Sequence, residues 1–139
     1  MVMDKSPAKI LDIFIKEHMS PLMKNNGFLK NGKTWTKQNG EVTYVVNIQS
    51  NKWNTKGAAI KIFINYGLFS PERFKALFRS SPLPTHTKEY DCYIRERLVS
   101  NENSEIWTIS TEAEDVSNDG IVNRVNDIIF PYFDTQKKL

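Results

Sequence analysis

The sequence predicts a single α+β domain, with helices packed on one face of a mainly antiparallel sheet of about five strands. Ser-Pro pairs at 6–7 and 70–71 each stand before apolar residues at helical spacing, which indicates two helix starts. Asn39-Gly40 separates two segments of alternating apolar and polar residues, which is typical of a β-hairpin. At 139 residues the chain is long enough for one domain with a buried core, and we assign residues 1–139 to it.

The first helix is predicted to run from about residue 7 to residue 25. Ser6 serves as its N-cap, because the proline that follows occupies a position where no N–H is needed. Pro21 interrupts the apolar pattern and is expected to kink or split the helix. The segment Asn25-Asn26-Gly27 then ends it, as is typical of helix C-termini.

The second helix is predicted to begin at Pro71, with Ser70 as its cap. Its apolar stripe consists of Phe74, Leu77 and Phe78. The last helix is predicted from about residue 117 to residue 134. Acidic residues between 112 and 119 are interpreted as its negatively charged first turn, because they lack the alternating spacing of a calcium loop.

The hairpin turn predicts which side of each strand faces the core. A two-residue type I′ turn at Asn39-Gly40 pairs Gln38 with Glu41 and Trp35 with Tyr44, and paired residues share a face. The core face then carries Trp35, Val42, Tyr44, Val46 and Ile48. The opposite face, which we call the polar face, carries Thr34, Thr36, Thr43, Val45, Asn47 and Gln49.

Three further strands extend this pattern, at 58–67, 91–99 and 106–110. In the first, isoleucines alternate with Lys61, Phe63 and Asn65, so these three residues are predicted on the polar face. In the second, the core side is predicted to carry Cys92, Ile94 and Leu98. The polar side is predicted to carry Tyr93, Arg95 and Arg97.

Composition excludes several classes of protein. The net charge of +3, from 19 basic and 16 acidic residues, permits an acidic partner but does not require one. A single cysteine excludes an intrachain disulfide. The first residues lack the apolar core of a signal peptide, and the sequence has no apolar run of about 18 residues that would span a membrane. We therefore expect a cytoplasmic protein without a membrane partner.

The sequence also lacks the common catalytic motifs, such as a glycine-rich phosphate loop, G-x-S-x-G and H-E-x-x-H. His18 and His86 have no metal-ligating neighbour at i+3 or i+4, and Cys92 is predicted in the core, where a thiol acts as a small hydrophobe. We predict no catalytic residue, no metal site and no cofactor, and a non-enzymatic role is favoured.

We expect the polar face to be open to solvent, and it contains the candidate binding residues. They are Asn47, Gln49, Phe63, Asn65, Tyr93, Arg95 and Arg97, joined by Trp53 in the loop that follows. Arginines beside amides and aromatic rings suit anionic or peptide ligands. The alternative is a solvated face covered by long side chains. Trp53 is either a lid over the edge of the core or an exposed anchor for a partner.

Five segments of the sequence resemble a known family. They are "GFLKNGKTWTK" (27–37), "VNIQSNKWN" (46–54), "IFINYGLF" (62–69), "RERL" (95–98) and "IWTI" (106–109). In this order they are similar to the successive blocks of the bacterial domain-of-unknown-function family 4304. The resemblance implies a stand-alone bacterial domain, and it implies no activity, cofactor or catalytic residue. The proline-rich stretch at 82–84 departs from the family pattern.

These observations favour a binding module that holds a protein or peptide partner, in a regulatory or toxin-neutralising role for example. Binding of single-stranded nucleic acid is an alternative that we do not favour, because the basic excess is small and the order of elements differs from βαββαβ. A third possibility is an enzyme whose Arg95 or Arg97 grips an anionic small molecule. The sequence does not predict an oligomeric state.

Overall fold

A computed structural model describes residues 7–50, 59–100, 102–110 and 120–136. In this part of the chain, six antiparallel strands form one sheet in the order β1-β2-β3-β4-β5, and β6 also pairs with β4. The strands are β1 (Leu29–Asn31), β2 (Thr34–Asn39), β3 (Val42–Ser50), β4 (Ala59–Phe69), β5 (Ile94–Arg97) and β6 (Trp107–Ser110). The predicted α+β class and the antiparallel sheet are confirmed.

In the described part of the chain, three helices accompany the sheet. Helix α1 consists of the α-helical segments Pro7–Phe14 and Ser20–Asn25 with a π-helical turn, Ile15–Met19, between them. Helix α2 is Pro71–Leu77, and a short 3₁₀ turn follows at Glu89–Asp91. Helix α3 comprises residues 120–124, a second π-helical turn, Val125–Ile129, and Phe130–Gln136. None of the described helices has the length and apolarity needed to cross a bilayer.

Each π-helical turn ends two residues before a proline. The Ser20 N–H donates to the carbonyl of Ile15, five residues back, and Pro21 has no N–H to continue the ladder. Helix α3 repeats the arrangement, since the Phe130 N–H donates to Val125 before Pro131. The kink predicted at Pro21 thus takes the form of a wider helical turn, which accommodates the proline ring without ending the helix.

The β2–β3 register differs from the predicted one by two residues. Asn39 pairs with Val42 and Trp35 with Val46, so the turn residues are Gly40 and Glu41. Gly40 has φ of 63°, whereas Glu41 is not among the described residues with positive φ, which fits a type II′ turn rather than type I′. A shift of two residues keeps every side chain on its predicted face, because the side-chain period of a strand is two.

The main core lies between one face of the sheet and helices α1 and α3. Most residues predicted on the core face are fully buried there, namely Trp35, Tyr44, Val46, Ile48, Ile62 and Ile64. Phe133 of α3 stacks on the Tyr44 ring with 4.5 Å between centroids. This contact fixes the end of α3 against β3.

A second, smaller cluster covers one end of the polar face. It consists of Val45, Phe69, Phe74 and Cys92. The prediction for Cys92 is corrected, because its side chain packs with Val45 on the polar side. Cys92 precedes β5, and the chain bends at Tyr93, so the strand alternation does not extend back to it. Of the stripe predicted for α2, only Phe74 is buried, while Leu77 is 64% exposed and Phe78 45% exposed.

Strands β5 and β6 lie end to end along the same edge of β4. Residues 65–68 of β4 pair with β5, and residues 59–62 pair with β6. Between them, the described residues of the segment, 98–100 and 102–106, lie outside the strands, although the Leu98 N–H still donates to the Ile64 carbonyl at 2.8 Å. The Trp107 indole N–H donates to the Leu98 carbonyl at 3.1 Å, and the Arg124 guanidinium of α3 donates twice to the Val99 carbonyl, at 3.1 and 2.9 Å. These bonds hold the start of this segment against the domain.

Candidate functional site

The antiparallel register aligns four polar residues in one row across the polar face. Thr34 pairs with Asn47, Asn47 with Asn65, and Asn65 with Arg97. Gln49 and Phe63 form the neighbouring pair on the same face. The structure therefore brings together five of the sequence-predicted binding residues. We call Asn47, Gln49, Phe63, Asn65 and Arg97 the amide cluster.

Asn65 is the centre of the amide cluster. Its Nδ2 donates to Asn47 Oδ1 and to Gln49 Oε1, both at 3.1 Å, and its Oδ1 accepts from Arg97 Nε at 3.0 Å. Only 3% of Asn65 is exposed. An asparagine in the middle of a strand is unfavourable by propensity, and these three bonds explain how this one is accommodated.

Arg97 covers Phe63. Its guanidinium carbon lies 4.1 Å from the centroid of the Phe63 ring, within the range of a cation–π contact. Its Nη1 lies 3.6 Å from Glu105 Oε1 in an ion pair whose two side chains are 38% and 53% exposed, so solvent screens this pair. The Arg97 head group is thus held by a ring below and an amide beside it.

Two members of the cluster have donors without a partner among the described residues. Among the described residues, neither Nη2 of Arg97 nor Nε2 of Gln49 has a hydrogen-bond partner. Gln49 is exposed, and 38% of the Arg97 side chain is exposed. The arrangement can donate to carboxylate or carbonyl oxygens of a ligand.

The sequence did not identify two residues that complete the network. Thr34 is 6% exposed, and its Oγ1 accepts from Asn47 Nδ2 at 3.1 Å. Its position opposite Asn47 in the hairpin was the signal that could have identified it. Glu105 lies between β5 and β6 in the sequence, and no sequence pattern places it beside Arg97.

Three candidate binding residues do not join the cluster. Arg95 forms a two-bond ion pair with Glu89, at 2.7 and 3.1 Å, and this partner raises the pKa of the guanidinium. Tyr93 packs against the main core with the Arg73 guanidinium 5.1 Å from its ring, because the chain bends before β5 begins. Its predicted place on the polar face is therefore wrong. Trp53 lies outside the described residues.

One end of the polar face is covered by other described residues. The cluster around Val45 and Phe74 covers the end near Thr36 and Gly67, where the prediction of an open face is corrected. The amide cluster lies at the other end, where Gln49 is exposed and Phe63 half-buried. Within the described part of this face, a binding surface therefore centres on the amide cluster.

The two histidines lie apart from this surface. His18 stacks on Phe14 at 5.8 Å between ring centroids, and His86 is exposed in the loop after α2. Across the described residues, no three His, Cys, Asp or Glu side chains are grouped so that they could hold a metal ion.

Native Cys92 is expected to react with iodoacetamide at pH 8 at least about a hundredfold more slowly than in denaturant. Burial, with smaller contributions from Glu89 and Asp91, raises the pKa of the thiol from 9.0 to about 12, and the thiolate is the reactive form. Timed alkylation followed by mass spectrometry measures the ratio. Equal rates in the native and denatured protein would contradict the buried position.

The same shift predicts a pH dependence of stability. The folded state holds the Cys92 proton more tightly than the unfolded state, so this contribution is complete below about pH 9. It is lost as the pH rises through the interval toward 12. The difference in urea stability between wild type and Cys92→Ala should therefore shrink over this interval.

Comparisons with known proteins support the family resemblance that the five sequence segments indicate. The family model described as "Domain of unknown function (DUF4304)" matches residues 19–135, from the middle of α1 almost to the end of α3. No curated protein and no solved structure matches the chain.

Proposed function

We propose that this chain, which belongs to the DUF4304 family, is a non-enzymatic binding module for a protein or peptide partner. The observation that carries the proposal is that two exposed residues of the amide cluster, Arg97 and Gln49, have donors (Nη2 and Nε2) without a partner among the described residues. They suit a partner segment that presents a carboxylate or a backbone carbonyl.

Preorganisation supports this role. A free arginine side chain loses much rotamer freedom when it binds, whereas Arg97 is already held by Asn65 and by the Phe63 ring. Gln49 is likewise held through its Oε1, which leaves its amide nitrogen for a ligand. Binding therefore costs less conformational entropy than it would at two unrestrained side chains.

Trp53 extends the proposed surface on sequence grounds. It lies in the segment between β3 and β4, four residues after Gln49. Tryptophan is enriched among the residues that contribute most to protein interfaces. We include it as an anchor beside the amide cluster.

The alternatives have less support. Arg97 covers the Phe63 ring, so this ring is not free to stack on a nucleic-acid base. The cluster contains amides and an arginine but no acid–base pair suited to general catalysis. A retardation assay with mixed single-stranded oligonucleotides at low salt tests the first alternative directly.

Affinity capture with the wild-type domain, followed by calorimetry with the purified partner, tests the proposal. Arg97→Ala and Trp53→Ala should each weaken the partner's binding by at least about tenfold. Arg95→Ala is the matched control, because it removes the same charge from the same strand outside the cluster, and it should change affinity by less than about twofold. Retention of the partner by both test variants, with their folding verified by circular dichroism, would reject this surface.

A further inference from the structure

A groove lies between helix α1 and the turn that joins β1 to β2. Its volume is about 510 Å³, within the range of small-molecule sites. The residues that line it are Asp12, Ile15, Lys16, Ser20, Lys30, Gly32 and Lys33. None of them belongs to the amide cluster, so the groove is a separate feature of the molecule.

The fold brings Lys16 close to Lys30 and Lys33, which are at least 14 residues further along the sequence. Lys16 belongs to α1, Lys30 to β1 and Lys33 to the turn between β1 and β2. All three are exposed, and none forms an ion pair with another described residue. With Asp12 as the single acidic lining residue, the groove has a formal charge of +2. Unpaired charges of one sign around a concave surface concentrate the field and attract oppositely charged ligands.

Helix α1 contributes an ordered wall to the groove. Asp12, Lys16 and Ser20 follow one another at intervals of four residues along the helix. Ile15 and Ser20 are the acceptor and donor residues of the π-helical hydrogen bond, and both line the groove. Ile15 is buried and supplies an apolar surface, while Ser20 supplies a hydroxyl that donates and accepts.

The opposite wall is a tight turn with little covering it. Gly32 has φ of 64°, and a side chain added there would meet no atom within 4 Å. The turn backbone is therefore approachable beside the Lys33 and Lys30 ammonium groups. The backbone carbonyl of Lys33 accepts a hydrogen bond from the Ile48 N–H of β3 at 3.0 Å. This bond anchors the turn to the sheet.

The geometry points to a site for a small molecule that carries phosphate groups. Three ammonium groups that form no ion pair with a described residue, together with a serine hydroxyl, match the charge and the acceptor oxygens of a phosphate or diphosphate. Asp12 can accept from a hydroxyl or amino group elsewhere on the same ligand. The groove has the volume of a small-molecule site rather than an extended basic stripe, which favours this ligand over a nucleic-acid strand.

An NMR titration of the full ¹⁵N-labelled chain with sodium pyrophosphate, at low salt, tests the site. We expect saturable shifts that are largest at the Ser20 and Gly32 amides. The triple variant Lys16→Gln, Lys30→Gln and Lys33→Gln should weaken binding at least about tenfold. The control triple Lys24→Gln, Lys75→Gln and Arg79→Gln removes the same formal charge from exposed positions outside the groove, and it should weaken binding by less than about threefold.

Two outcomes would overturn the proposal. One is binding that does not saturate at pyrophosphate concentrations of about 20 mM, because that affinity would be too weak for a specific phosphate site. The other is an equal loss of pyrophosphate affinity in both triple variants, since net charge alone would then explain binding. If the groove triple does not fold, the three single variants replace it, and each should weaken binding about threefold.

Discussion

Replacing Gly67 by alanine is expected to lower the free energy of unfolding by about 3 kcal/mol or more. An alanine Cβ at this position would overlap the carbonyl oxygen of Ile94 in the neighbouring strand, and it would lie 3.1 Å from Cys92 Cβ. The first of these is backbone, which cannot rotate away. Strands β4 and β5 would therefore have to separate where Gly67 pairs with Arg95.

Gly120→Ala is the matched control for this experiment. Gly120 belongs to helix α3, its φ is not positive, and an added Cβ would meet nothing within 4 Å. Alanine there should leave stability unchanged or raise it by about 0.5–1 kcal/mol. Urea denaturation of both variants measures the difference. A Gly67→Ala protein as stable as wild type would mean that β5 does not approach β4 as closely as described.

Asn65→Ala is expected to cost about 2–3 kcal/mol of stability. The substitution removes three hydrogen bonds at a position that is 3% exposed. It also leaves Arg97 without the amide that holds its Nε, so the guanidinium gains freedom over the Phe63 ring. We therefore expect Asn65→Ala to weaken partner binding as well, even though Asn65 itself is buried.

Gln49→Ala separates the effect on stability from the effect on partner binding. Gln49 is exposed and contributes one bond to the cluster, so its removal should cost less than about 1 kcal/mol of stability. If Gln49 donates to the partner, binding should still weaken. Thermal and urea unfolding give the stability order, and calorimetry with the partner gives the affinities. Equal destabilisation by Asn65→Ala and Gln49→Ala would show that Asn65 does not have the central position described.

Much of the fold follows from local sequence signals. Ser70 accepts from the Arg73 N–H and Pro71 begins helix α2, as the Ser-Pro pair predicts. The alternation in β3 and β4 places Asn47 and Asn65 on one face, and their side chains are indeed bonded to each other. Alternation is reliable here because one face of each strand is buried in the main core.

The short strand β1 was missed, although a signal for it exists. Asn31-Gly32 precedes the turn between β1 and β2 just as Asn39-Gly40 precedes the turn between β2 and β3. In both turns the asparagine ends a strand, and the glycine has φ near +64°. Interpreting both asparagines as strand residues would have predicted β1 and the observed register. A strand of three exposed residues has no apolar alternation to indicate it.

The tertiary features could not be predicted from the sequence. Val45 is buried because α2 and the segment before β5 fold back over it. No local sequence pattern encodes this arrangement. The lysine groove depends on the approach of α1 to the turn between β1 and β2. Both arise from long-range packing, whereas sequence patterns report which face of an element is buried and not what covers it.

The two edges of the sheet also bear on how copies of this domain meet each other. One edge ends with β1, which has three exposed residues including Lys30. The other is divided between β5 and β6, each four residues long, with the segment 98–106 between them. Short, charged or interrupted edges are poor templates for adding a strand from a second molecule. In its described part, the sheet is thus protected against the edge-to-edge growth that leads exposed β-proteins into fibrils.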